Sequence, residues 1–301
     1  LIILLMKIFD CTTFFNENFI LDARFNILDP YVDKFIIVES AYSHSGKNKK
    51  FNFDISKFGK FKDKIIYLKI DTEPNNLIYE MKGGNKFEEE KNVRNNAIKR
   101  IAHQRNILLD GISEANENDL ILYSDNDEIP NFENFNETYL KNKIIVFKQK
   151  MFYYKFNLYY DRYDWFGTKG CRKKDLISFD WLRNIKTKKY PFYRLDTYFS
   201  KTKYQNVGII NDGGWHFTQL KNPNDIYEKI TNDEHYDEFQ KTNINIADIE
   251  DMVRRKIIKY DHLADSSENK YSNEFKLKKI EMNLMPKYIQ KNKDKYKNWI
   301  D

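Results

Sequence analysis

Cysteine, proline and glycine are scarce in this chain: two, six and ten among 301 residues. The two cysteines, Cys11 and Cys171, form no Cys-x-x-Cys pair, which excludes a disulfide scaffold and a thiolate zinc finger. The expectation is two reduced thiols in a reducing, cytoplasmic setting, with a single disulfide left open. No apolar run approaches the length that spans a bilayer. Leu1–Met6 is apolar but short, and lacks the basic start and small-residue cleavage site of a signal peptide. It reads as the lead-in to a first buried strand. There are no internal repeats and no low-complexity linker.

Charge of one sign is also lacking. The 51 basic and 45 acidic residues leave a net +6, concentrated around Lys287–Lys297, where a solvated helical face is the plain reading. The excess allows a weak attraction to acidic lipid at a membrane periphery, or to a phosphate-bearing substrate. Phe and Tyr are abundant alongside Lys, Asn and Ile, so their number reflects composition and does not point to a nucleic-acid partner.

What is present is an alternation. Ile2–Phe9, Lys34–Glu39, Lys64–Ile70 and Asp119–Tyr123 are short apolar runs with the look of buried strands. Between them, Glu17–Leu28 and Asn92–Ile112 carry helical spacing. Strands alternating with helices predict an α/β fold with a mostly parallel central sheet. In the second half, Ile144–Tyr154 reads as a long strand, Tyr159–Leu182 as an aromatic-rich loop, and Asn245–Tyr260 as a helix capped by Asn243 or Asn245. Phe275–Trp299 has helical spacing with a break at Pro286. The length suits one domain over residues 1–240 with a helical C-terminal extension over 241–301.

Ligands bind at the carboxyl ends of strands in such sheets. The sharpest signal lies there: Leu120-Ile-Leu-Tyr-Ser-Asp125-Asn-Asp127-Glu128-Ile-Pro130 delivers three carboxylates within four residues. Asp125 and Asp127, two apart on a turn, can share one hard cation, Mn²⁺ or Mg²⁺, that neutralises a leaving diphosphate. The competing reading is an acidic, Asx-capped turn. Arg105 is a second signal. It falls on the apolar stripe of Ile98, Ile101, Ala102, Leu108, Leu109 and Ile112, and a buried guanidinium needs a carboxylate or a phosphate. An internal pair with Asp125 or Glu39 is the alternative. A third is Asp212-Gly-Gly-Trp215-His216-Phe217, where glycines permit a sharp bend or a close approach to a ligand. His216 could ligate the metal or sit satisfied in the core, and Asp212 could take a proton from an acceptor.

Taken in order, several segments resemble glycosyltransferase family 17, the family of the β-1,4-mannosyl-glycoprotein β-1,4-N-acetylglucosaminyltransferase. They are Lys7–Glu17, Leu28–Ser40, Ser43–Lys47, Gln104-Arg105-Asn106, Asp119–Pro130, Trp165–Leu176 and Asp212–Phe217. The resemblance implies a GT-A-like nucleotide-sugar-binding fold, a UDP-sugar donor, a divalent metal and inversion at the anomeric carbon. It implies Asp125 and Asp127 as metal-binding acids, and Arg105, Glu39 and the His44–Lys47 loop as donor contacts. Thr12, at the end of the first strand, and Asp125 are expected on the donor as well. The membrane anchor and lumenal setting of the animal enzyme are not seen, so a microbial or viral surface glycan is the expected acceptor in place of an N-glycan.

The expected chemistry is transfer of a GlcNAc-like sugar to a glycan hydroxyl. Asp125, Asp127 and His216 hold the metal, and Asp212, with Glu128 in reserve, acts as base. Two other classes compete: a metal-dependent phosphoesterase, and a catalytically silent glycan- or nucleotide-binding protein.

Overall fold

The four apolar runs of the first half become the parallel half of one sheet. In the computed structural model, which describes residues 6–79, 86–188, 190–203, 205–232, 239, 242–264 and 269–301, they are β1 (Ile8–Phe14), β2 (Lys34–Ser40), β3 (Ile65–Ile70) and β4 (Leu120–Ser124). Their spatial order is β3-β2-β1-β4, all parallel. Helix α1 (Asn18–Leu28) connects β1 to β2, and α2 (Lys86–Ile107), prolonged by a 3-10 turn at Leu108–Ile112, leads into β4. Both faces are covered, which is why these strands are apolar throughout. Phe35 and Ile37 pack with α1 residues Leu21, Phe25 and Leu28. Ile36 and Val38 pack on the other face with Leu108 and Ile112.

The sheet continues through β4 into longer, mixed strands. β5 (Glu128–Pro130), β6 (Ile144–Tyr153), β7 (Leu158–Arg172), β8 (Val207–Ile210) and β9 (Gly214–Thr218) extend the order as β4-β7-β6-β9-β5. β7 is antiparallel to both β4 and β6. β8 and β9 share one edge of β6, β8 beside Ile144–Phe147 and β9 beside Lys150–Tyr153, both parallel to it. The chain is thus a mixed α/β fold around a mostly parallel sheet.

Several boundaries differ from the sequence expectations. The first strand runs on to Phe14, so Asp10–Thr13 lie inside it; residues 2–5 of the expected strand are outside the described residues. Tyr159–Leu182 is not a loop: β7 takes it to Arg172 because β4 and β6 pair with it on both sides. The last segment is not purely helical. After α3 (Phe179–Asn184) and α4 (Pro223–Thr231), helix α5 (Ile246–Arg255) begins in a capping box between Asn245 and Asp248. Three short strands follow, β10 (Ile257–Ile258), β11 (Phe275–Lys276) and β12 (Lys278–Lys279). β12 joins the main sheet beside β7. Short helices α6 (Lys287–Lys291) and α7 (Lys293–Tyr296) end the chain. Ile249, Met252, Ile257 and Leu277 pack against Met151, Tyr153 and Tyr160, so this segment shares a core with β6 and β7. Among the described residues no helix is long and apolar enough to cross a membrane.

Candidate active site

The direction of chain connection reverses between β1 and β4: β2 and β3 lie to one side of β1, β4 to the other. Two adjacent parallel strands whose connections leave in opposite directions open a crevice at their carboxyl ends. A cavity of about 680 Å³ lies there. Thr13 from the end of β1, Ser40 from the end of β2, and Asp125 and Asp127 after β4 line it, together with Tyr153, Trp165 and Tyr260.

Each acid of the turn after β4 has a distinct environment. Asp125 Oδ2 accepts from Arg183 Nε at 3.0 Å and Nη2 at 2.8 Å, and its Oδ1 from the Tyr123 hydroxyl at 3.0 Å. Arg105 Nη2 stands 4.0 Å from the same Oδ1. Burial works to raise the Asp125 pKa, but Arg183 and Arg105 hold it well below the usual carboxylate range. Asp127 meets Lys229 Nζ at 3.1 Å and His216 Nε2 at 3.4 Å. Against the opposing effect of burial, Lys229 and His216 keep it anionic too. Glu128 is fully buried. Its Oε2 accepts the Asp125 N–H at 3.1 Å and its Oε1 the Trp165 indole N–H at 2.5 Å. Burial, and then Asp125, raise its pKa. Both Glu128 oxygens serve the shape of the turn, and the side chain is not part of the cavity wall.

Arg105 is where its stripe predicted, facing the crevice, though the stripe itself is narrower. Ile98 and Leu109 are exposed, and the buried face runs through Ala97, Ile101, Gln104 and Leu108. Arg105 Nη1 donates to Asp180 at 3.0 Å and Nε to the Tyr123 hydroxyl at 3.1 Å. Its principal carboxylate is therefore neither Asp125 nor Glu39. Arg183 was not read from the sequence. Ser178 caps α3 by accepting the Trp181 N–H, Phe179 and Leu182 bury the opposite face, and Arg183 is left pointing at Asp125. Lys169 secures the end of the helix by donating to the carbonyls of Arg183 and, at 2.9 Å, Ile185. Lys229, from α4, and Glu17 also reach the crevice unannounced. Glu17 is pushed down to about 2, burial notwithstanding, by Lys221, Lys229 and the Asn16 N–H.

The remaining expected residues divide. His44 lines the cavity, its Nε2 3.3 Å from Gln104 Oε1. Lys47, on the same loop, is exposed and off the cavity wall. Thr12 is buried one residue short of the lining Thr13. Glu39 is buried and consumed by Lys49, the N–H groups of Asn52 and Phe53 at 2.7 and 3.0 Å, and the Tyr67 hydroxyl at 2.7 Å. It braces the loop after β2 and presents no oxygen to the cavity. Asp212 lies away from the crevice, its side chain 70% exposed and paired with Lys150. The adjoining glycines serve strand packing. A Cβ on Gly214 would stand 2.1 Å from the Ile129 carbonyl oxygen, and φ there is +132°.

Among the described residues, no group of three or more His, Cys, Asp and Glu side chains gathers as a metal site. Asp127 and His216 nonetheless fit a hard divalent cation as a pair. Their 3.4 Å separation is near the ~3 Å between neighbouring ligands of a cation held at ~2.1 Å. His216 Nδ1 is buried with no hydrogen-bond partner among the described residues. The ring lies against Trp165, with centroids 4.7 Å apart.

Comparison with known proteins identifies the lineage. No curated protein matches the chain. Among solved structures it is similar to HddC from Yersinia pseudotuberculosis, at 10% identity, over 69% of this chain and 92% of that one, with a TM-score of 0.34. The sequence match to Glycosyltransferase family 17 extends over residues 4–300, and it takes in the turn, the arginine helix and the β9 strand described above. The chain belongs to glycosyltransferase family 17.

Proposed function

We propose that this chain transfers a sugar from a UDP-sugar to a hydroxyl of a glycan acceptor, with inversion, in the crevice between β1 and β4. The observation that carries this reading is the pairing of charges across the turn after β4. Asp125 and Asp127, both held anionic, face Arg105, Arg183 and Lys229 in one cavity. A diphosphate entering there would find guanidinium and ammonium donors already desolvated and oriented, which favours charge developing on a leaving group. Asp127 and His216 are the residues that would hold a divalent cation, and such an ion supplies neutralisation of the diphosphate. Tyr153, Tyr163, Trp165 and Tyr260, which also line the cavity, give flat faces on which an acceptor sugar can stack. Asp261 lines the cavity, which Asp212 and Glu128 do not, and is better placed than either to take the acceptor proton.

Calorimetric titration of UDP with and without Mn²⁺, on the wild type and Asp127→Ala, tests the reading. UDP affinity is expected to fall on metal removal and in the variant. Equal affinity in all four titrations would sink it in favour of a silent binding module. Phosphate release from simple esters would instead mark a phosphoesterase. A screen of UDP-sugars for slow hydrolysis identifies the donor.

A further inference from the structure

We propose that the loop between α3 and β8 docks this protein on an anionic lipid bilayer, with Phe192, Tyr193, Leu195 and Phe199 entering the boundary between headgroups and acyl chains. These four side chains are 81%, 68%, 68% and 91% exposed. Large apolar groups concentrated on one short surface segment mark an interaction site.

Their exposure does not come from a lack of local structure. The loop is closed at its neck, where the Lys186 N–H donates to the Thr202 carbonyl at 2.8 Å and the Trp181 indole N–H to the Lys201 carbonyl at 2.7 Å. Turns hold the tip: the Arg194 N–H bonds the Pro191 carbonyl at 3.0 Å, and Leu195–Thr197 forms a 3-10 turn. Thr197 is fully buried, its hydroxyl on the Arg194 carbonyl at 2.5 Å. The backbone turns inward at Thr197 and sends its aromatic neighbours outward. Closed ends with an internally packed, functional tip define a compact surface loop.

The charge around the tip selects the occupant. Lys186, Lys188 and Lys201 are exposed beside it. The stretch from Lys186 to Lys203 contains one acid, Asp196, which Arg194 already binds through two hydrogen bonds at 2.8 and 2.9 Å. An apolar tip ringed by cations matches a bilayer surface, where aromatic groups sit below the phosphates and lysines among them. A second copy of the chain is disfavoured by the same feature, because a two-fold contact would set these lysines against their own counterparts. The four apolar residues do not line the crevice, so this inference does not rest on the proposed function.

Co-sedimentation with phosphatidylcholine vesicles containing roughly a third phosphatidylglycerol tests it. The wild type should sediment with these vesicles, less so with pure phosphatidylcholine and less at high salt. Phe192→Ser combined with Phe199→Ser should weaken partitioning at least about tenfold, with an unchanged urea unfolding midpoint as the check on folding. A second variant, Lys188→Glu with Lys201→Glu, should abolish the preference for anionic vesicles. Wild-type protein that stays in the supernatant, or a double Ser variant that partitions like wild type, overturns the proposal. So does light scattering that shows a dimer split by the Ser substitutions, which would make the patch a contact between copies.

Discussion

Arg183 donates two hydrogen bonds to a single oxygen of Asp125, from Nε at 3.0 Å and from Nη2 at 2.8 Å. The guanidinium also lies 5.8 Å from the centre of the Trp165 ring and 4.0 Å from Glu128. One side chain from a six-residue helix therefore fixes the first acid of the turn and sits within reach of whatever anion enters the crevice.

Arg183→Lys separates its charge from its geometry. Lysine keeps a cation near Asp125 but cannot reproduce the fork. UDP affinity is expected to drop about tenfold in Arg183→Lys and further in Arg183→Gln, in line with ~1.5–3 kcal/mol for a hydrogen bond to a charged group. Calorimetry reads both. Equal affinities in the wild type and Arg183→Gln would remove this residue from the proposed donor site.

Gly214 tests what the Asp212-Gly-Gly segment is for. Its φ of +132° and the 2.1 Å approach of a built Cβ to the Ile129 carbonyl place a side chain in conflict with backbone, which cannot move aside. Gly214→Ala is expected to destabilise the fold by at least ~3 kcal/mol. Gly59→Ala, where a Cβ meets nothing within 4 Å, should change stability by less than ~1 kcal/mol. Urea unfolding midpoints compare them. A mild Gly214→Ala would mean that the β5–β9 pairing tolerates a gap.

The legible part of this fold follows from double-sided burial. Phe35-Ile36-Ile37-Val38 reads as a strand because both faces are covered, and Asp125 and Asp127 line the cavity because a buried strand delivers them there. Strand ends misled by one residue. Thr13 and Ser40 line the cavity while Thr12 and Glu39 do not, since adjacent strand residues point to opposite faces. β7 was illegible because Asp161, Arg162 and Asp164 interrupt its apolar pattern, and its pairing with β6 carries irregularities near Lys148 and Gln149. Arg183, Lys229 and Glu17 were missed for a different reason. Each is an ordinary surface residue type on an ordinary helix start or end, and only the folded chain brings Arg183 to Asp125 and Lys229 to both Glu17 and Asp127.

The Asp10–Arg24 pair should prove the costliest to break. Arg24 is completely buried, donates to both Asp10 oxygens at 2.7 and 2.5 Å, and reaches the Glu128 carbonyl at 2.5 Å. Arg24→Leu strands a buried carboxylate and frees the backbone of the turn after β4, at a cost of ~3–5 kcal/mol. Asp10→Leu together with Arg24→Leu should recover part of that loss, because no charge is then left unpaired. Denaturation in urea gives both values. A loss under ~1 kcal/mol in the single variant would show that the pair contributes little.

His262 gives the fold a dependence on pH in a mildly acidic window. Its Nε2 meets the Tyr153 hydroxyl at 2.5 Å, and its ring stacks on Tyr163 and meets the edge of Tyr260. Burial, and then the nearby His216, bring its pKa from 6.5 down to about 4. Between those values the unfolded chain takes up a proton that the folded chain refuses, so stability rises with pH across the window and levels off above it. Glu17 acts lower, its contribution complete above 4.5 and lost as pH falls toward about 2. The wild type is therefore expected to be less stable at about pH 5 than at about pH 7 by ~2 kcal/mol. His262→Phe keeps a ring in the cage but cannot titrate. It leaves the Tyr153 hydroxyl without this partner, which lowers stability at every pH while flattening the slope between the two conditions. Urea midpoints at both pH values distinguish the two effects, and a slope unchanged in His262→Phe would place the titrating group elsewhere.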